Sequence, residues 1–185
     1  MKKTGKYIQL FFPASFPYLV LITFIFIVTG VFANTVFQNN IIIVLILLIV
    51  FYIIALACSV VFFMKNLLNK TNPKNILRIN MIIKLLQIPA YILIFLFGLL
   101  NLITIFTAAI TIVLMFLDGM AIFLTGLIGL CGIIRGFLEG KLSKKTAVIH
   151  GLLQFIFCAD VISCIIVYKK VKNNEAILNN THIDK

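Results

Sequence analysis

The sequence predicts an all-α protein, a polytopic transmembrane helix bundle of about five spans. Hydrophobic residues make up 63% of the chain and charged residues 11%, far from soluble averages of roughly 45–50% and about 25%. Residues 85–134 carry one formal charge, Asp118. That stretch is too long for a single crossing of a hydrocarbon core about 30 Å thick and suits a tight pair of helices. All sixteen basic residues stand in short groups beside apolar runs, as juxtamembrane anchors do. The net charge of +11 therefore points to a membrane surface. Nucleic acid is not expected as a partner, since no aromatic-basic interleaving supports it. With 185 residues, residues 1–185 read as one membrane domain.

The first apolar run, Ile8 to Phe37, follows Lys2, Lys3 and Lys6 and contains Pro13 and Pro17. Proline is tolerated in a first helical turn, so the span is expected over 17–37. Val31-Phe32-Ala33 resembles a signal-peptidase site, but the run is long enough to span, and an uncleaved signal anchor is the reading adopted. Gln38, Asn39 and Asn40 make a short polar turn into a second span over 41–64, which forces antiparallel packing. Residues 65–84 read as a cytoplasmic interfacial segment: Ile76, Ile79 and Ile83 recur at helical spacing among Lys65, Lys70, Lys74, Arg78 and Lys84.

The long apolar stretch then has to turn. Asp118-Gly119 is a turn pair, but a turn there makes the third helix about 30 residues long. A turn between Asn101 and Ala109 divides the stretch evenly and gives spans over 85–106 and 109–135. That second placement is preferred, and it moves Asp118 into the membrane. A fifth span over 146–168 follows Lys144 and Lys145, with His150, Gln154 and Asp160 inside it. The positive-inside rule then places twelve of the sixteen basic residues in the cytoplasm and the polar tail, 169–185, outside. The alternative is four spans plus a re-entrant or interfacial helix, with all sixteen on one side.

The fourth helix carries small residues at regular spacing: Ala121, Thr125 and Gly129, then Gly132, Gly136 and Gly140. Such a face lets a second backbone approach closely, whether from this chain or another. Cys58, Cys131, Cys158 and Cys164 lack CxxC spacing and read as small buried hydrophobes. No cofactor or metal is expected, and no HExxH, GxSxG, Ser-Lys or GxGD pattern supports an enzyme.

Lys84-Leu-Leu-Gln-Ile-Pro-Ala-Tyr91, Leu124-Thr-Gly-Leu-Ile-Gly129 and Ile149-His-Gly-Leu-Leu-Gln-Phe-Ile-Phe-Cys-Ala-Asp-Val-Ile-Ser163 together carry a resemblance. Residues 78–172 resemble uncharacterised small multi-span membrane proteins of Gram-positive, mostly gut-dwelling bacteria. The resemblance implies a multi-pass protein of the bacterial cytoplasmic membrane; it carries no activity with it.

Asp118 and Asp160 form the candidate intramembrane polar site. On a five-span layout they lie at similar depth, and two carboxylates at close range cannot both ionise. They therefore outline a proton or cation site. The structural alternative makes Asp118 an outer-turn cap and Asp160 a hydrogen-bond partner of Thr or Asn side chains. Two functions are carried forward. One is a non-enzymatic helix-bundle protein packing with other membrane components, either a membrane-protein partner or a second copy, in contact with the lipid bilayer. The other is a small proton- or cation-linked transporter using Asp118 and Asp160.

Overall fold

The computed structural model describes residues 2–29, 41–103 and 108–183. Six helices fill them: α1 Lys2–Val28, α2 Ile41–Leu68, α3 Pro73–Leu102, α4 Ala108–Leu138, α5 Lys144–Leu153 and α6 Ala159–Ile183. The first four are long and apolar enough to cross a membrane. Their surfaces are inverted relative to a soluble bundle. Ile42, Met115 and Phe116 are 66%, 73% and 67% exposed, whereas Asn80, Lys84, Gln87, Gln154 and Asp160 are buried to 1% or less. Apolar side chains face outward where the solvent is lipid, and the polar ones pair inside.

The chain divides into two compact units, residues 1–58 with 86–121 and residues 59–85 with 122–185. Helices α2, α3 and α4 each contribute a segment to both.

In the first unit α1 starts well before Pro17, correcting the expected start, and holds Pro13 and Pro17 in its interior. Pro17 has no amide hydrogen, so the Pro13 carbonyl loses its helical donor. Gln87 supplies a replacement: its Nε2 donates to the Pro13 carbonyl at 3.0 Å and reaches the Ala14 carbonyl at 3.3 Å. Tyr91 in turn donates to Gln87 Oε1 at 3.0 Å. The Tyr18 hydroxyl donates to the Leu86 carbonyl, in the turn preceding Pro89. Phe16 stacks on Phe51 at 6.3 Å and Phe24 meets Phe97 at 5.3 Å. A cavity of about 370 Å³ between α1, α2 and α4 has no charged or amide side chain in its wall, so it does not compete as a polar site.

Helix α3 ends at Leu102 and α4 begins at Ala108, and Thr111 Oγ1 donates to the Gly98 carbonyl at 3.0 Å. The chain therefore doubles back between them, and Asp118-Gly119 is mid-helix. Most of that connection, the end of the expected 17–37 span with Val31-Phe32-Ala33, and the Gln38-Asn39-Asn40 turn lie outside the described residues.

The second unit departs further from expectation. Residues 65–84 are not a separate interfacial segment, because α2 runs to Leu68 and α3 starts at Pro73 and continues without a break to Leu102. Asn72 starts α3 as its cap, Oδ1 accepting from the Lys74 amide at 2.9 Å, with Pro73 following where a missing amide costs nothing. Residues 146–168 are likewise not one helix. Helix α5 has ten residues, about 15 Å, half of the membrane core. The chain then breaks over Gln154–Cys158, Cys158 taking φ +62°, and α6 runs back.

His150 Nδ1 lies 2.9 Å from Ser163 Oγ, and Lys170 donates to Thr146 Oγ1 at 3.1 Å. The pair is an antiparallel hairpin. One reason for the break is geometric: Gln154 and Asp160, both buried, would stand about 120° apart on a single continuous helix. Breaking between them lets both turn inward. The return brings Glu175 to Asn72, Lys74 and Lys141, so α6 near Glu175 lies at the same end of this unit as the start of α3 and the end of α4. This corrects the placement of the tail opposite those segments.

Candidate functional site

The site is in the second unit, where Lys84 of α3, Thr125 of α4 and Asp160 of α6 meet. The Lys84 ammonium pairs with Asp160 Oδ2 and donates to Thr125 Oγ1 at 3.3 Å. Lys84 is 0% exposed and Asp160 1%. The other carboxylate oxygen, Oδ1, accepts from the Val161 amide at 2.8 Å in the first turn of α6, where the helix dipole favours negative charge. The Thr125 hydroxyl donates to its own helix at the Ile122 carbonyl, leaving its lone pairs to Lys84.

A second polar layer adjoins this pair. Asn80, one turn before Lys84 on the same face, donates through Nδ2 to Gln154 Oε1 at 3.2 Å. Gln154 Nε2 donates to Ser163 Oγ at 3.3 Å, and Ser163 donates to the His150 carbonyl at 3.3 Å. Asn80 Oδ1 is buried and takes no hydrogen bond among the described residues.

Asp160 is thus at the centre, but its partner is an ammonium rather than a second carboxylate. Asp118 is buried in α4 within the first unit. The small-residue face resolves residue by residue. Ala121 and Thr125 are fully buried. A Cβ on Gly129 would lie 2.4 Å from Gln154 Oε1 and 2.6 Å from Asn80 Nδ2, so this glycine makes room for the amide pair. A Cβ on Gly132 would meet Leu77 at 2.8 Å, and one on Gly136 would meet Leu142 at 2.9 Å. These partners belong to this chain. Gly140 differs from the rest. It is exposed, with open space at its Cβ position and φ +70°, and Lys141 N→Gly136 O and Gly140 N→Phe137 O close a Schellman motif at 2.9 and 3.0 Å.

Lys84 escaped the sequence reading because it was counted with its basic neighbours as an anchor. The signal was nevertheless present: Asn80, Lys84, Gln87 and Tyr91 recur at helical spacing along one face of α3, and all four are buried.

A second charged cluster closes the end of this unit. Asn72 Nδ2 donates to Glu175 Oε1 at 2.7 Å, Lys74 lies 2.9 Å from Oε2, and Lys141 bridges Glu175 at 3.4 Å and Glu139 at 3.0 Å. Arg135 pairs with Glu139 and donates through Nε to the Thr71 carbonyl at 3.3 Å. The Asn72 amide first, then the Lys74 ammonium, hold the Glu175 carboxyl down at about 2. No protein-family model, curated protein or solved structure matches this chain.

Proposed function

We propose that this membrane helix-bundle protein is a small proton- or cation-linked translocating protein of the bacterial cytoplasmic membrane, with Asp160 and Lys84 at its centre. One observation carries the reading: a fully buried ion pair lies beside the break between the half-length α5 and the start of α6. Lys84 is ten residues beyond Lys74, about 15 Å along α3, which is half of a core about 30 Å thick. Ionisable groups at that depth are costly, by about 2.5–3.5 kcal/mol on insertion scales, and are retained where they act on ions or protons. Broken helices at mid-depth are a recurring way of building such sites. Asn80 Oδ1 adds an open acceptor one turn away.

Purified protein in proteoliposomes, loaded with a pH-sensitive dye, tests this under imposed proton and monovalent-cation gradients. Dissipation by the parent that is lost in Asp160→Asn supports the reading; equal leak in parent, variant and empty vesicles rejects it. Asp118→Asn in the same assay decides whether the other intramembrane carboxylate takes part.

The second reading is a non-enzymatic bundle protein that packs with other membrane components. The closure of the ion pair favours it, since Lys84 and Asp160 are matched to each other and to Thr125 within the chain. Gly129, Gly132 and Gly136, however, already pack inside the chain, so an association surface would have to lie elsewhere.

A further inference from the structure

We infer that the α5–α6 hairpin is a gate, hinged at its base and latched at its tip by the Lys84–Asp160 pair, and that proton uptake by Asp160 releases it. The inference deepens the proposed function by naming the regulation of the same site, and rests on that reading. The two ends of the hairpin are held by different physics. Its base is held by an apolar cluster and by ion pairs beyond it: Leu142, Val167 and Val171 are buried with Leu77 and Ile133, Ala147 and Tyr168 pack against them, and Glu175 meets Lys74 and Lys141. Gly140, at φ +70°, precedes it as the pivot. Its tip is held by two buried polar contacts, Asp160 to Lys84 and Gln154 to Asn80, and by one half-exposed apolar contact, Phe155 on Phe123 at 5.7 Å beside Gly126, while Ile156 and Phe157 are exposed.

The latch depends on charge balance. With Lys84 protonated and Asp160 ionised the buried site is neutral. Adding one proton to the carboxylate leaves a carboxylic acid beside an uncompensated ammonium, and a lone buried charge is far costlier than a pair. Tilting the tip outward admits water to the ammonium; the base, whose apolar cluster and Glu175 ion pairs carry no stranded charge, has no such reason to move. Lys84 of α3 meets the carboxylate, Thr125 of α4 meets the same ammonium, and Cys164 lies one turn along α6. In the adjoining polar layer His150 of α5 bonds Ser163 and Gln154 bonds Asn80, so Lys84, Cys164 and His150 are the titratable groups nearby.

Cys164 is fully buried and supplies the reporter. Cys58, Cys131 and Cys158 are replaced by Ala and His150 by Asn, and the reaction of Cys164 with a water-soluble pyridyl disulfide is timed across pH in detergent and in liposomes. Each rate is taken relative to that of a free cysteine peptide at the same pH, which removes the fall in thiolate on acidification; the expected result is slow reaction in the parent at neutral pH, faster reaction as pH falls, and about tenfold or more acceleration at neutral pH in Asp160→Asn. A double variant, Lys84→Met with Asp160→Leu, has no charge to strand and stays protected at every pH.

Protection of Cys164 in Asp160→Asn equal to the parent's overturns the latch. So does a double variant as reactive as the single one, because the opening would then follow from lost packing. If Asp160→Asn does not fold, a pH-independent rate in the parent overturns it alone. Opening of Cys164 without gradient dissipation supports the gate and rejects the translocation reading. Dissipation with Cys164 closed throughout does the reverse.

Discussion

At Lys84 and Asp160 the identity of the partner reverses an expectation. Had Asp160 been bonded to Thr or Asn, an Asn substitution would have kept the fold. Facing an ammonium, Asp160→Asn and Lys84→Met each strand a buried group, and each is expected to cost about 3–5 kcal/mol. Lys84→Met combined with Asp160→Leu is expected to recover most of that loss, because a buried pair is often no more stable than an apolar replacement of similar size. Melting temperatures in detergent for the three variants form the cycle, and additive losses would show that the two residues do not act as a pair. The glycines of α4 divide in the same way. Gly129→Ala drives a methyl into the Asn80–Gln154 pair and is expected to lower the melting temperature. Gly119→Ala, with nothing within 4 Å, is expected to raise stability by up to about 1 kcal/mol through helix propensity.

At the scale of the element, the turns that stop helices carry their own predictions. Helix α2 ends as α4 does, with Thr71 N→Asn66 O at 3.2 Å and Lys70 N→Leu67 O at 3.4 Å around a left-handed residue. That residue is Lys70, at φ 48°, where a Cβ is strained. Lys70→Gly is expected to stabilise by about 1 kcal/mol and Gly140→Ala to destabilise by a similar amount; equal and opposite shifts on melting check both. The Glu175 cluster ties α6 to the start of α3, and its contribution depends on pH. With the carboxyl held at about 2 against an ordinary value of 4.5, the stabilisation is complete above about pH 4.5 and is lost as pH falls toward 2. Glu175→Gln should therefore narrow its gap from the parent across that window, and a gap constant with pH would contradict the ionised clamp.

For the whole molecule the return of α6 has a consequence for membrane sidedness. Lys65, Lys145 and Lys172 were expected to divide between the two faces. The antiparallel hairpin and the Glu175 contacts predict reporter fusions at all three with the same sidedness, on the face rich in Lys and Arg. A signal from the opposite face at Lys172 alone would require α6 to leave Lys74 and Lys141.

The all-helical class and the presence of helices long and apolar enough to cross a membrane were legible in the sequence. Each depends on local quantities, chiefly the run length of apolar residues against a membrane of known thickness, and these are additive along the chain. The depth of Lys84, the break at Gln154–Cys158 and the partners of Gly129, Gly132 and Gly136 were decided only by tertiary structure. A lysine beside an apolar run reads as an anchor unless a carboxylate can reach it, and the one that does lies 76 positions away. Hydropathy assigns each residue a cost for entering lipid; it has no term for the partner that offsets that cost. For the same reason two polar residues that would make a single span expensive become, once the chain folds back between them, the residues that hold the hairpin in place.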